Sequence, residues 1–451
     1  METTNVDVAI IGGGIAGLTA AYELLKLQPN ASIAVLEASG RVGGRCHSVE
    51  LRVHPRGTDR FDLGGQWVGV NQKDILSLLK ELHIEVYPQY ADGYDLVEEM
   101  DGTFKKYWCN QSSFCFSSID SFRVYEKLKG YIKKTPITDP YKDSKAQEWD
   151  STSFGEWARK NSWTSSMVED LALISKMILS CPPDQVSFLY ALAYFNSSGG
   201  LEACLDVDKG AQGFKIKGGA QMLVESLANQ IGRFAIKLDN AVISIQQFDR
   251  DVSVKTTKGV YVAQKVICAI PPGLLNSITW TPSLPDNKEA VASRYLPRSK
   301  QWKFAITYGT AFWRAQGFSG NALTQSGMVV FDAVSGFKNP ALGGLVDFNY
   351  DVRPSERMIK VISAIVQIFG ADGEDYLDYS DKLWSSEDYI GGCVATLPPG
   401  GYMNNFCPVM QKPFNHIHWA GTETATAAMG YMSGAVQSGK RAAKEVYDLV
   451  F

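Results

Sequence analysis

The chain has 451 residues, of which 45% are hydrophobic, 20% charged and 11% aromatic, a composition typical of soluble globular proteins that excludes disordered, collagen-like and small disulfide-stapled proteins. Lys and Arg number 44 against 48 Asp and Glu, which gives a formal net charge of -4. Since no basic excess is available to neutralise phosphates, we do not expect nucleic acid as a partner.

The first forty residues have the pattern of a strand, a helix and a second strand. Residues 6–11 form an apolar run typical of a buried strand, residues 15–27 carry apolar side chains at helical spacing, and residues 32–36 return to a strand pattern. This order predicts a parallel sheet covered by helices.

A glycine fingerprint, Gly12-x-Gly14-x-x-Gly17, lies between the first strand and the helix. Gly12 allows a tight turn, Gly14 lets a pyrophosphate approach the backbone, and Gly17 lets the helix and strand pack closely. Glu37 closes the second strand, where a carboxylate can accept hydrogen bonds from a ribose. An ordinary glycine turn is the alternative, but the βαβ context together with the acid favours a dinucleotide site.

Two more glycine pairs follow this acid. Arg41 and Arg45 flank the pair that includes Gly44, and Gly64-Gly65 comes next along the chain. Guanidinium groups on both sides of such a turn can lie near a phosphate and an extended ligand. A plain surface turn would explain either arginine alone but not the whole cluster.

The middle of the chain has a different character. Residues 87–216 are rich in aromatics, with a helical pattern at 121–134 and a linker rich in Pro, Asp and Lys at 135–145. From residue 217 the first pattern returns, with a helix at 220–229 followed by strands at 242–248, 252–256 and 260–270. We therefore predict one domain built from residues 1–86, 217–291 and 387–451 and a second built from 87–216 and 292–386.

The C-terminal segment supplies a complementary half of the predicted site. A strand at 417–420 leads into a Gly421-Thr422-Glu423 turn and then a helix that carries Met432 near its start and that we expect to end at Arg441. Backbone N–H groups at a helix start can hold negative charge. Taken alone, this segment is better explained as a loop and helix with small residues for packing.

Together these motifs resemble the FAD-dependent amine oxidase superfamily, whose members carry GxGxxG, a ribose Glu and then RxGGR, and among them the monoamine oxidases most. The similar motifs occupy residues 8–70, 209–222, 268–313 and 384–441, and residues 87–208 match least. The resemblance implies an α/β fold in which a Rossmann-like FAD-binding domain is intertwined with a mixed α+β substrate domain. It implies FAD as cofactor, with no metal.

The resemblance also implies where the cofactor is held. The segment from Tyr389 to Cys393 is similar to the stretch of monoamine oxidases in which a cysteine thioether holds the 8α-methyl of FAD, so Cys393 is the implied attachment point. A buried structural cysteine is the alternative. The remaining positions that the resemblance assigns to the cofactor are Gln66, Trp67, Val242 and Met432.

Four residues are implied for the chemistry itself. Lys303 matches the lysine that holds a water against flavin N5, and its burial in an apolar strand would be costly without a role; a strand-edge lysine facing solvent is the alternative. Tyr431 matches one half of an aromatic pair that orients the amine, whereas the other half is Val394 here. Trp384 and Gln212 complete the implied pocket, although Gln212 is equally explained as a turn residue.

We therefore expect an FAD-dependent oxidase that converts a primary or secondary amine to an imine and then an aldehyde, with O2 reduced to H2O2. A polyamine oxidase or an L-amino-acid oxidase of the same superfamily remains an alternative, and so does a flavin-bound interaction protein without turnover. The partners expected are a small amine and O2, with a homodimer left open.

The cellular location is expected to be cytoplasmic. The eight cysteines form no CxxC pair, the N-terminus has no positively charged leader, and no apolar run is long enough to span a membrane. We therefore expect reduced thiols and no membrane anchor.

Overall fold

The computed structural model describes residues 2–55, 57–108, 118–207, 209–297, 300–336, 338–346 and 352–451, with only the backbone of residues 405–407. Its strands, numbered β1 to β22 in chain order, are Thr3–Ile11, Ile33–Leu36, Ser48–Arg52, Thr58–Asp62, Trp67–Val68, Val86–Pro88, Tyr94–Glu98, Phe104–Trp108, Phe214–Ile216, Ile236–Lys237, Val242–Gln247, Val252–Thr256, Val260–Cys268, Thr279–Thr281, Leu296–Pro297, Trp302–Tyr308, Phe318–Leu323, Val329–Asp332, Ala341–Val346, Tyr376–Leu383, Ala395–Thr396 and Ile417–Trp419. Its helices, α1 to α14, are Ile15–Leu27, Lys73–Glu81, Ile119–Lys134, Ala146–Ser151, Phe154–Asn161, Ser165–Leu179, Phe188–Ser197, Leu201–Leu205, Gln221–Ile231, Asp286–Ala292, Phe312–Ala315, Pro354–Phe369, Tyr402–Met410 and Met432–Val450.

The first sheet has the strand order β10-β2-β1-β13-β12-β11-β14, and β22 also pairs with β13. Strand β1 runs parallel to β2 and β13, and β13 runs parallel to β22. Strands β11 to β13 instead form an antiparallel meander. The predicted βαβ unit and the return of the chain to this sheet are confirmed, and the mixed α/β fold class is confirmed with them.

Strand β1 explains why its sequence is a continuous apolar run. Val8 and Ile10 pack in the core that includes α1 and α14, whereas Ala9 and Ile11 pack in the core on the opposite face of the sheet. Alternate side chains of a strand point to opposite faces. A central parallel strand covered on both sides therefore has no solvent-facing position to fill with polar residues.

The second sheet has the order β20-β16-β19-β18-β17-β7-β8. Strand β16 lies between β19 and β20 and is antiparallel to both, and every residue of β16 is buried. Helix α12 packs against this sheet through Val361 and Ile365. Helices α3 to α8 form a separate aromatic-rich core. The domain boundaries given above remain a prediction.

Some predicted elements differ from those observed. Helix α14 continues past Arg441 to Val450, because Arg441 pairs with Glu445 one turn on and Val446 continues the buried stripe. Helix α3 begins two residues before the predicted start, since the Ser118 hydroxyl caps it. The predicted linker contains a short 3-10 turn at Pro140–Lys142.

Five cysteines are described as free thiols, namely Cys46, Cys181, Cys204, Cys268 and Cys393. Cys109, Cys115 and the side chain of Cys407 lie outside the described residues. Within the described ranges, no helix combines the length and the apolar character that crossing a lipid bilayer demands.

Candidate active site

A cavity of about 1490 Å³ lies where the first sheet, the second sheet and the helical core meet. Its walls include Ile15 and Ala16 at the start of α1 and Met432 and Ala435 at the start of α14. The two ends of the chain therefore meet in one cavity. The predicted site residues that line it are Arg45, Gly64, Gly65, Gln66, Trp67, Gln212, Lys303, Trp384, Cys393, Gly421, Thr422, Tyr431 and Met432.

The two helix starts at this cavity have no side-chain cap. The N-cap of α1 is Gly14, which has no side chain. The N-cap of α14 is Tyr431, whose side chain forms no capping hydrogen bond. A Cβ added to Gly14 would meet nothing within 4 Å. The N–H groups of a first helical turn have no partner within the helix, and together with open space beside a glycine they fit a diphosphate group.

The other two fingerprint glycines have packing roles behind the cavity. Gly12 has a φ of 100°, a conformation that favours glycine. A Cβ on Gly17 would lie 2.0 Å from the Gly12 carbonyl oxygen, so only glycine lets α1 approach β1 this closely. These are the roles that the fingerprint predicts for a tight turn and a close helix–strand contact.

Glu37 follows β2, as predicted, and its carboxylate holds the fingerprint loop. Oε2 accepts a hydrogen bond from the Gly13 backbone N–H at 2.7 Å, and Oε1 accepts from the Ser39 N–H at 2.8 Å. The predicted hydrogen bonds to a ribose remain a prediction.

The two arginines of the second motif have different surroundings. Arg41 donates to the carbonyl oxygens of Gly44 at 2.8 Å and Cys46 at 2.9 Å, so it stabilises the Gly-Gly loop and does not line the cavity. Arg45 lines the cavity and forms an ion pair with Glu423, with Nη1 2.6 Å from Oε1. The phosphate contact expected for both residues remains a prediction.

The later glycine pair lets two loops approach each other. A Cβ on Gly64 would lie 2.1 Å from the Arg45 carbonyl oxygen, and one on Gly65 would lie 3.2 Å from the Met432 sulfur. Thr422 joins the turn that follows β22 to the start of α14 by donating to the Tyr431 carbonyl at 2.9 Å. The motifs from both ends of the chain are thus packed directly together.

Lys303 lies in β16 and is 5% exposed. Its Nζ donates to the Gly64 carbonyl at 2.7 Å and to Oε1 of Gln66. Burial lowers the pKa of Lys303 to about 7, against the opposing effect of the Asp62 carboxylate. The alternative of an edge lysine facing solvent is therefore wrong, because β16 is an interior strand.

Cys393 lines the same cavity. Burial raises the pKa of the Cys393 thiol, and the neighbouring Arg45 guanidinium, which hydrogen-bonds it, opposes this rise. Trp384 donates from its indole N–H to the Leu63 carbonyl at 2.7 Å. The thiol, the indole and the loop before Gly64 thus lie at one end of the site, with Val394 also in the wall.

Tyr431 has an aromatic neighbour that the sequence did not predict. The ring centroids of Tyr431 and Tyr194 are 5.8 Å apart with 36° between the planes, and Tyr194 also lines the cavity. Gly430 makes this possible, since a Cβ there would lie 2.6 Å from the Tyr194 ring. Helix α7, which carries Tyr194, is buried on nearly all sides, so periodicity gave no sign of which face lines a site.

Further residues complete the walls. Trp67 donates to Oε1 of Gln89 at 2.9 Å and contacts Phe331 edge-on at 4.7 Å between centroids. The Gln212 amide donates to the Cys204 carbonyl at 3.4 Å. Val242 is the first residue of β11 in the first sheet, packs against the core on one face of that sheet and does not line the cavity, so its assigned contact with the cofactor stays a prediction.

The part of the cavity wall that α6 contributes is mostly apolar, although Ser166 and Asp170 of this helix also line the cavity. Side chains at helical spacing on this helix line it, namely Met167, Leu173, Ile174, Met177 and Ile178. The apolar side chains in this wall suit an apolar part of a ligand.

The chain is similar to known flavoenzymes over nearly its whole length. The model of the family described as flavin containing amine oxidoreductase matches residues 15–447. AofH of Mycobacterium tuberculosis, whose name describes a flavin-containing monoamine oxidase, is 34% identical over 453 residues, which cover 99% of this chain and 97% of AofH. A flavin-containing amine oxidase of Danio rerio is 32% identical, covering 99% and 86%. The structure of cyclohexylamine oxidase from Brevibacterium oxydans IH-35A superposes with a TM-score of 0.91 at 26% identity, covering 98% and 99%.

Proposed function

The chain belongs to the flavin-containing amine oxidoreductase family, and we propose that it holds FAD in the large cavity and oxidises a primary or secondary amine to an imine, with O2 reduced to H2O2. The observation that carries the proposal is the cavity itself. Lys303, Cys393 and Tyr431, from three distant parts of the chain, line one cavity together with the starts of α1 and α14.

The residues that would hold the cofactor fit its chemistry. The first-turn N–H groups of α1 and α14 suit the diphosphate, and Glu37 suits a ribose. The loop around Gly65, with Trp67 and Lys303, suits the flavin ring. When bound, a flavin supplies the two-electron chemistry that takes electrons from an amine and gives them to O2.

Cys393 is proposed as the covalent attachment point of that flavin. Its place in the cavity wall supports the assignment, and the Arg45 guanidinium opposes the burial that raises the pKa of the Cys393 thiol. Acid precipitation of the purified protein tests it, because covalently bound flavin stays yellow in the pellet. Cys393→Ala should move the colour to the supernatant, whereas Cys46→Ala should not. Colour in the wild-type supernatant would reject the thioether and leave non-covalent FAD untouched.

The chain itself would orient the amine. The rings of Tyr431 and Tyr194 offer flat faces on which the substrate nitrogen and its α-carbon can be positioned. The apolar side chains of α6 suit an apolar part of the amine, and we propose that the amine binds without its charge. Binding of the neutral amine predicts that turnover rises with pH up to the pKa of the substrate.

The experiment is an assay of H2O2 release by the flavin-loaded protein with benzylamine, spermine and an L-amino acid. We expect benzylamine to be oxidised fastest, with an aldehyde as product. Preference for spermine would make the protein a polyamine oxidase, and preference for the amino acid would make it an amino-acid oxidase. No peroxide with any of them would contradict the proposal.

A further inference from the structure

A second, much smaller cavity is lined by Gln66, the hydrogen-bond partner of Lys303. It has a volume of about 20 Å³ and is lined by Asp62, Gln66, Tyr87 and Lys215, among others. A volume of roughly 10–15 Å³ on this measure suffices for one water molecule, which needs two to four polar partners. The small cavity is therefore the size of one water and is bordered by polar side chains.

Gln66 lines both the large and the small cavity and is 5% exposed. Its carbonyl oxygen accepts the hydrogen bond from Lys303, which fixes the orientation of the amide, because an ammonium cannot face an NH2 group. Its Nε2 has no hydrogen-bond partner within the described part of the chain. A buried amide N–H2 without an acceptor is costly unless a water supplies one.

Lys215 and Asp62 can supply the other hydrogen-bond partners of a water in the small cavity. Lys215 is 6% exposed, and its Nζ donates to the Val334 carbonyl at 2.9 Å, which leaves two of the three ammonium donors for other partners. Asp62 accepts from the Ser48 hydroxyl at 2.5 Å and the Ala220 N–H at 2.9 Å, both through Oδ1. A water in the cavity has donors in Gln66 and Lys215 and an acceptor in Asp62.

The same groups are coupled electrically to Lys303. The titratable groups acting on Lys303 are Asp62, Lys215 and Cys46. Those acting on Lys215 are Asp332, Asp62 and Arg314, and the Tyr87 ring lies 5.4 Å from its Nζ. In a buried site, a like charge disfavours the protonated form of a lysine and a carboxylate favours it.

We propose that Asp62, Gln66 and Lys215 bind one buried water beside Lys303, and that Asp62 and Lys215 are positioning residues that set the pH at which Lys303 loses its proton. The inference rests on the proposed function in one respect, that Lys303 faces the flavin. The carboxylate form of Asp62 favours the proton on Lys303, and Lys215 opposes it. Burial raises the pKa of Asp62 itself, against the effect of Lys303 and of the hydrogen bonds from Ser48 and Ala220. Gln66 lines both cavities.

The test uses the flavin-loaded protein without amine. Its visible absorbance is followed as the pH is raised from about 5.5 to 9.5, since a change of charge beside the ring alters the flavin spectrum. We expect one transition near pH 7, the value to which burial lowers the pKa of Lys303, and no such transition in Lys303→Met.

The two positioning residues should shift this midpoint in opposite directions. Lys215→Met removes a positive charge and should raise it by about one pH unit, whereas Asp62→Asn should lower it by about one pH unit. Lys215→Arg keeps the charge and should restore the wild-type midpoint. Lys288→Met is the matched control, because Lys288 is also buried but is acted on by Cys268 and Arg441; it should leave the midpoint unchanged.

Opposite shifts of the midpoint in Lys215→Met and Asp62→Asn would support the proposal. If the two residues had only a structural role, the direction of the shift would not depend on the sign of the charge removed. Shifts of the same sign, no shift, or no transition in the wild type would overturn it. A crystal structure of the flavin-loaded protein should show the water within hydrogen-bond distance of Nε2 of Gln66, and an empty small cavity would also overturn it. If the protein oxidises amines but the variants leave the midpoint of the absorbance transition unchanged, this inference alone is refuted. If the protein retains no flavin, the proposed function is refuted as well.

Discussion

The guanidinium of Arg45 and the carboxylate of Glu423 form an ion pair, with Nη1 2.6 Å from Oε1, between positions 378 residues apart in the sequence. The pair joins the Gly-Gly loop near the N-terminus to the turn that follows the last strand. Glu423 is almost fully buried, with 4% of its side chain exposed. Arg45 also lines the cavity in which the flavin is proposed to lie.

Glu423→Gln should destabilise the protein, because it leaves the Arg45 charge without its partner. Removing one member of a buried ion pair costs about 3 kcal/mol in the free energy of unfolding, and the substitution should also weaken flavin retention. Urea denaturation and the flavin content after gel filtration measure both effects. Asp448→Asn is the control, since it breaks the exposed pair with Lys444 and should change stability by less than about 1 kcal/mol. Equal effects of the two variants would contradict a role for the Arg45–Glu423 contact.

Gly430→Ala should reduce amine oxidation. The added Cβ would lie 2.6 Å from the Tyr194 ring, and Gly430 has a φ of 86°, so either the ring or the backbone before Tyr431 must move. A small misplacement of positioning groups can lower the rate about a hundredfold. Steady-state kinetics measure this, with Gly130→Ala in the exposed part of α3 as control, since a Cβ there meets nothing within 4 Å. Unchanged kcat/KM in Gly430→Ala would show that the tyrosine pair does not position the amine.

Lys303→Met should slow the return of flavin colour under O2 by about a hundredfold, with a far smaller effect on bleaching by amine. The reason is that a charged or hydrogen-bonding group beside the flavin assists the transfer of protons and charge to O2. Stopped-flow absorbance separates the two half-reactions. Lys288→Met should leave both rates unchanged, and equal slowing of both in Lys303→Met would assign the lysine another role.

Stability should rise between pH 7 and pH 8.5. Burial lowers the pKa of Lys288 and of Lys303 to about 7, from 10.5 in the unfolded chain. Above pH 7 the unfolded state therefore binds more protons than the folded state, so raising the pH favours folding. Each such lysine contributes up to about 1.4 kcal/mol per pH unit, and the window ends below the pKa of 9.0 of an unfolded cysteine.

Urea denaturation across this pH window measures the slope. Lys288→Met should reduce the slope of stability against pH by the contribution of one lysine, because the variant has no titratable group at that position. A wild-type stability that falls with pH over the window would contradict the lowered pKa values.

Much of the architecture follows from the sequence because local patterns determine it. The apolar run of β1, the glycine fingerprint and the helix after it predict a strand, a turn and a helix without reference to the rest of the chain. The burial of Lys303 was also expected, since a lysine among apolar strand residues has a high cost of burial unless it has a partner.

Other parts of the site depend on tertiary contacts that no local pattern reports. Tyr194 lies in a helix buried on nearly all sides, so its sequence does not indicate which side chain lines the cavity. Arg41 and Arg45 have the same residue type and motif but different partners, because the fold brings only Arg45 to Glu423. Nε2 of Gln66 has no hydrogen-bond partner among the described residues, and Oε1 accepts from Lys303 of the second sheet, a tertiary contact that the sequence around Gln66 does not report.

The most direct test of the account is addition of benzylamine to the purified flavin-loaded protein without oxygen, followed by admission of O2. We predict that the flavin absorbance bleaches with the amine and returns with oxygen, with about one H2O2 released per flavin reoxidised. A bound flavin whose absorbance does not change with benzylamine, spermine or an L-amino acid would contradict amine oxidation in this cavity.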